Sequence, residues 1–290
     1  IFLNFVARYF GDVSSLYDKA TKKIAKSVGL ELSKLQHGAS VEQVTNTVMY
    51  HLYLNFADAF SSKQVAIVDR WVNKIYKHFK SDTTVFGDLV DEIDLPKDSV
   101  FNLLDKRAIE FFKNSDSMYL GKFIVDADTT QRLTAYIKDK YINGTLPIGK
   151  MSPDVLRAFR QEFSILLKGE EWKIDRIINT TVNRIRNTAA ASYMDEAGVV
   201  SYTIKGTSDR LRCDWCKNLN GKTFELKPAL KHIQDFSSVE PNNIPIVYPF
   251  ITSKIDADTL KNMSSAELQG SGLYIPPVHP HCRCKLVAAL

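Results

Sequence analysis

All four cysteines of this 290-residue chain fall in two tight clusters, Cys213-Asp214-Trp215-Cys216 and Cys282-Arg283-Cys284. No other feature restricts the fold as strongly. A two-residue gap lets both thiolates of a Cys-x-x-Cys point at one tetrahedral centre, and the second cluster offers two more, with His279 and His281 alongside. Four thiolates, or three and an imidazole, close a structural zinc site. The expected ligands are Cys213, Cys216, Cys282 and Cys284, with His279 as the substitute for one cysteine. Such a site joins Cys216 to Cys282 across 66 positions, and metal binding there is coupled to folding of the segment between.

Other chemistries compete for the same residues. Two disulfides need an oxidising compartment. The apolar opening, residues 1–7, is short and lacks the basic flank of a signal peptide, so a soluble, intracellular chain is expected, with some native sequence before Ile1 out of view. A redox Cys-x-x-Cys stands at a helix N-terminus after a strand, whereas Leu219-Asn220-Gly221 here reads as a turn. A catalytic zinc needs a vacant coordination position, and two tight clusters leave none obvious. Redox or unmetallated cysteines, then a catalytic metal, stay as the alternatives.

The rest of the chain has a different character. Of the ten prolines only Pro96 precedes Pro147, and all four cysteines come after residue 212, so the first two thirds read as helical and the last third as an irregular module. Val65, Val68, Val72, Ile75 and Phe79 recur at three- and four-residue steps and draw one apolar stripe; Lys74, Lys77 and Lys80 fall off it and are expected in solvent. Further helices are expected over 6–28, 41–60, 100–112 and 129–141. Ser152-Pro153-Asp154 starts another, with Ser152 as N-cap and Pro153 in the first turn. The strongest runs over 170–197, carrying Ile174, Ile177, Ile178, Thr181, Ile185 and Ala189 on one face and stopping at Gly198. Beyond it, 199–204, 223–226 and 283–287 are strand-like, and a loop-rich insert over 241–275 carries one weak helix, 256–268. The expectation is an α+β fold, mostly α: a helical region over 1–150, the partner-binding part, then a small loop-rich zinc-stapled module over 151–290. Hydrophobic residues at 44% and charged residues at 24% are ordinary globular usage. No run approaches the roughly 20 apolar residues that span a bilayer, so no membrane partner is expected.

The cysteine residues also carry a resemblance. Cys213-x-x-Cys216-x-x-Leu219-Asn220-Gly221-Lys222-x-Phe224, followed by Pro276-Pro277-Val278-His279-Pro280-His281-Cys282-Arg283-Cys284, resembles the C-terminal signature of the MuF-type phage head morphogenesis proteins. The helix before it, Thr180-Thr181-x-x-Arg184 through Asn187-x-Ala189, then Gly198-Val199 and Tyr202, is similar to the stretch that leads into that signature. The likeness covers residues 170–285, about two fifths of the chain. Where family members commonly carry Thr-Glu, this chain has Thr181-Val182, so no role for an acidic residue carries over.

The resemblance implies a minor capsid protein of a tailed phage: present in several copies in the capsid interior, in the host cytoplasm during assembly, contacting the portal protein and other head or scaffold components, and associated with DNA packaging or delivery. No GxSxG, Walker A or HExxH motif appears, and an enzyme is not expected. The alternatives are a zinc-scaffolded DNA-binding module and, behind it, a nuclease or toxin-related enzyme. The net charge of +5 is mild, so any DNA contact is expected to be non-specific and salt-dependent. Its candidates are Arg210, Arg212, Lys217, Lys222 and Arg283 beside the cysteines, plus Lys19, Lys22, Lys23 and Lys26 on the first helix.

Overall fold

The computed structural model describes residues 1–93, 95, 101–149, 152–210, 212–251 and 256–289. The fold is α+β and mostly α, with one small antiparallel sheet among the described residues. Its helices are α1 (Phe2–Lys34), α2 (Val41–Phe56), α3 (Ser62–Phe79), α4 (Leu103–Lys122), α5 (Ala127–Ile142), α6 (Pro153–Lys168) and α7 (Glu171–Glu196). After strand β1 (Ser201–Lys205) come α8 (Asp214–Leu219), β2 (Thr223–Glu225), α9 (Leu226–Phe236), α10 (Ile244–Val247), α11 (Ala257–Asn262), α12 (Ser265–Gly270) and β3 (Lys285–Ala289). Among the described residues, no helix is long and apolar enough to cross a membrane.

Local chemistry accounts for most boundaries. The Ser40 hydroxyl accepts from Gln43 N while the Gln43 side chain returns to Ser40 N, a capping box that starts α2. Ser152 caps α6 with Pro153 in the first turn, as its sequence dictates. The helix expected over 41–60 breaks its hydrogen-bond pattern at a π segment, Ala57–Ser61, and continues into α3. The helix expected over 100–112 starts at Leu103 and runs on to Lys122; Val100 and Pro96 lie outside the described residues. The helix expected over 256–268 is two, α11 and α12. A new capping box, Ser264 with Glu267, starts the second and so interrupts the first.

The chain packs as two compact units, each discontinuous in sequence. The first comprises Ile1–Val6, Asp69–Asp116 and Arg176–Leu290; the second comprises Ala7–Val68 and Ser117–Asp175. A cut after residue 150 therefore passes through both.

The second unit centres on aromatic packing. Tyr17, Phe60 and Phe123 are mutual ring neighbours at 5.1–5.8 Å, and Phe56 stacks on Phe60. Glu170, nearly enclosed, is held by Arg132, Thr129 and Lys173.

The first unit is built around α7 and the sheet, whose order is β2-β1-β3. Every residue from Thr180 to Met194 is buried, so α7 has no solvent face there. A helix enclosed on all sides is ordinarily apolar; this one carries Asn183, Arg184, Arg186, Asn187 and Ser192 inside. Lys80 was expected in solvent and is instead fully buried. It lies just past the end of α3, where its ammonium donates to Ser192 Oγ (2.6 Å) and Glu196 Oε1 (2.7 Å) and pairs with Asp105 (3.1 Å). The helical stripe predicts which residues face the core within a helix; it does not apply beyond the last turn, where the carboxylates of α4 and α7 hold the ammonium.

Candidate metal centre

The first half of the site depends on α8. Cys213 is its N-cap, with Sγ accepting from Cys216 N at 3.4 Å. One helical turn therefore carries Cys216 back over Cys213. The Cys-x-x-Cys thus stands at the start of a six-residue helix, and the expected turn, Asn220-Gly221, follows it. The second half precedes β3. His281 adopts a left-handed φ of 59°, uncommon outside glycine, and Cys282 N donates to the His279 carbonyl at 3.2 Å. This bend brings His279 and Cys282 together, while His281 is exposed and outside the donor clusters.

Five donors meet there. The ligand atoms of Cys213, Cys216 and His279 lie within 4.8 Å of one another, and so do those of Cys216, Cys282 and Cys284; Cys216 belongs to both groups. His279 Nε2 is 3.2 Å from Cys213 Sγ and 3.0 Å from Cys216 Sγ. Cys216 and Cys282 sulfurs are 3.8 Å apart, which matches the edge of a tetrahedron with metal–sulfur bonds of about 2.3 Å. His279 Nδ1 donates to the Pro280 carbonyl at 2.7 Å, which turns Nε2 toward the sulfurs, the usual outer-shell arrangement of a metal-bound histidine. Three of the thiols are buried and none is in a disulfide. The donor set fits a metal ion.

The electrostatics agree. Hydrogen bonds with Cys216 and Cys284 push the Cys282 thiol well below its ordinary range, and the same pairing raises Cys216. Burial would lower His279, but hydrogen bonding and charge from the Cys282 thiolate raise it to about 9. The pocket thus attracts positive charge, a proton or a metal.

Helix α7 holds the second half of the site in place. Asn183 Nδ2 donates to the Cys282 carbonyl (2.7 Å). The Arg186 guanidinium donates to the carbonyls of Arg283 (2.8 Å) and Cys284 (2.7 Å) and to Asn183 Oδ1 (2.6 Å). Asn187 Nδ2 serves the Pro276 and Cys284 carbonyls at 3.0 and 3.2 Å, and its Oδ1 accepts from Leu286 N at 3.0 Å. Positions 183, 186 and 187 share one helix face. A buried loop with its carbonyls turned inward needs donors, and these three residues provide them. Burial lowers Arg186 to about 10, against the charges of Cys282 and Cys284, which favour its cationic form. Asn183 and Arg186 were not singled out from the sequence; the available signal was amides and a guanidinium three and four residues apart in a helix otherwise rich in isoleucine and alanine.

The basic residues beside the cysteines have mostly internal duties. Arg283 makes a two-pronged ion pair with Asp209 at 2.6 and 2.7 Å. Lys217 pairs with Asp214, and the Lys222 ammonium donates to the Met263 carbonyl at 2.5 Å. Arg212 is half-buried against Gly206, and Arg210 is exposed. Comparison of the chain with family models, with curated proteins and with solved structures finds no match.

Proposed function

We propose that the chain is a minor capsid protein of a tailed phage, a non-enzymatic component of the capsid interior near the portal, and that its metal is a structural zinc. One observation carries this reading. The residues on which the likeness to MuF-type head proteins rests form one interlocked assembly: the two cysteine clusters meet, and Asn187 of α7 binds the backbone on both sides of them. A thiolate-rich, mostly buried donor set suits zinc above harder cations. Two groups of three protein donors that share Cys216 offer enough ligands for closed coordination, which is structural rather than catalytic.

Assembly is the decisive assay. Expressed with the portal protein and scaffold of its own particle, the chain is expected to co-purify with portal rings or DNA-free procapsids. Recovery of procapsids without it, while the free protein stays folded in the supernatant, contradicts the proposal.

A further inference from the structure

The second unit contains an open groove, remote in sequence from the cysteines, with a mostly apolar floor and a cationic rim. It runs between α1 and α6, measures about 520 Å³, and is lined by Lys22 and Ala25 on one side and by Arg157, Arg160, Gln161, Ser164, Ile165 and Lys168 on the other. The two helices come close at Gly29, where an added Cβ would lie 2.9 Å from Leu156 Cδ1 and 3.6 Å from Arg160 Cγ. The Arg160 stem is pinned there, and its buried Nε has no hydrogen-bond partner among the described residues. Arg157, Arg160, Ser164 and Lys168 recur at three- and four-residue steps, so they follow one face of α6. At about 1.5 Å per residue that face is roughly 16 Å long.

Two carboxylates temper the charge. Asp18 pairs with Lys22 at 2.7 Å and with Lys168, and Asp154 pairs with Arg157 at 3.3 Å. Lys19 and Lys26, three residues before and four after Lys22, add two exposed cations on the α1 flank. The groove therefore keeps a positive excess, with Lys22 and Arg157 both about two-thirds exposed.

We propose that this α1–α6 groove binds the phosphate backbone of duplex DNA, without reading its sequence. A duplex presents one charge per roughly 3.4 Å along each strand, so about five phosphates of a strand fall within the length of the cationic face. Arg160 adds its charge beneath the exposed Lys22 and Arg157, and Ser164 a hydroxyl. Near the metal centre, by contrast, Lys222 and Arg283 are turned onto the Met263 carbonyl and Asp209, and Lys217 there is paired with Asp214 as Arg157 is with Asp154. The contact is thus assigned to a different part of the chain from the one the cysteine-flanking cations suggest.

The test titrates the full-length protein with duplexes of two unrelated sequences, by fluorescence anisotropy, over a range of salt concentrations. Equal affinity for both is expected, with a log–log salt slope of roughly −3, as for about three neutralised phosphates. Lys22→Gln with Arg157→Gln, both exposed and benign for folding, is expected to weaken binding at least tenfold at low salt and to flatten the slope by about two. Arg157→Glu with Arg160→Glu is expected to weaken it further. Arg210→Gln with Lys217→Gln is expected to change neither quantity. The proposal is overturned if the groove variants bind like the parent, if the loss follows the Arg210 and Lys217 pair, if one duplex is strongly preferred, or if polyglutamate competes as well as DNA.

Discussion

Asn187 joins α7 to both ends of the segment that carries His279, Cys282 and Cys284. Its amide serves two carbonyls, and its oxygen accepts from the first turn of the sheet strand that follows. Each partner is buried, so removal leaves groups that water cannot reach. Replacing Asn187 by Ala is expected to cost roughly 2–4 kcal/mol in denaturant unfolding, more than a net hydrogen bond is worth, because the unmet desolvation is added to it. A change under about 0.5 kcal/mol would show that the loop relaxes without its clamp. That the two cysteine clusters and His279 come together was legible in the sequence, since their spacing is that of paired chelating thiols. Their support was not: an asparagine or arginine inside a helix is ordinarily a solvent-facing residue, and only the all-round burial of α7 reveals these as internal donors. Lys80 teaches the same point, since its burial depends on Asp105 and Glu196, which are distant in sequence.

At the scale of elements, the helices were legible where periodicity and caps coincide. Ser152-Pro153 gave the start of α6, and the apolar spacing over 170–197 gave bounds for α7 close to those observed. Helices that begin or end by tertiary packing were not legible: α9 follows directly on β2, and the Cys-x-x-Cys segment is helical although only a turn signal follows it. A six-residue helix has little stability of its own; α8 is held by its N-cap sulfur and by whatever binds both its cysteines. The capping box of α2 offers a cleaner test of local chemistry. Ser40→Ala is expected to destabilise by about 1 kcal/mol in chemical denaturation. The site of Ser40 is exposed on the surface of the second unit, so metal content should stay unchanged; loss of metal together with stability would show that the two are coupled in a way local capping does not explain.

At the scale of the whole molecule, the interleaving of the units has a consequence for dissection. Residues 151–290 contain the candidate metal ligands but lack residues 69–116 of their own unit. Those supply Lys80 against Ser192, Phe86 against Tyr193, and Phe111 and Phe112 against Phe236. A fragment of residues 151–290 is expected to melt without a cooperative transition even with zinc added, whereas the full chain melts cooperatively; a sharp transition in the fragment, near that of the parent, would contradict this. Sequence order suggested a helical part followed by a stapled module. Which helical segments complete the module depends on long-range pairing, and local patterns do not record it.

The central claim is that the two clusters hold one structural zinc. Native mass spectrometry of the full chain, purified without added metal and without chelator, tests it directly. One zinc per chain is expected, lost on replacing Cys216 and Cys282 together by Ser, since that leaves three of the five donors, too few to close a tetrahedral site. A metal-free parent chain, or a zinc that survives the double replacement with unchanged stoichiometry, contradicts it.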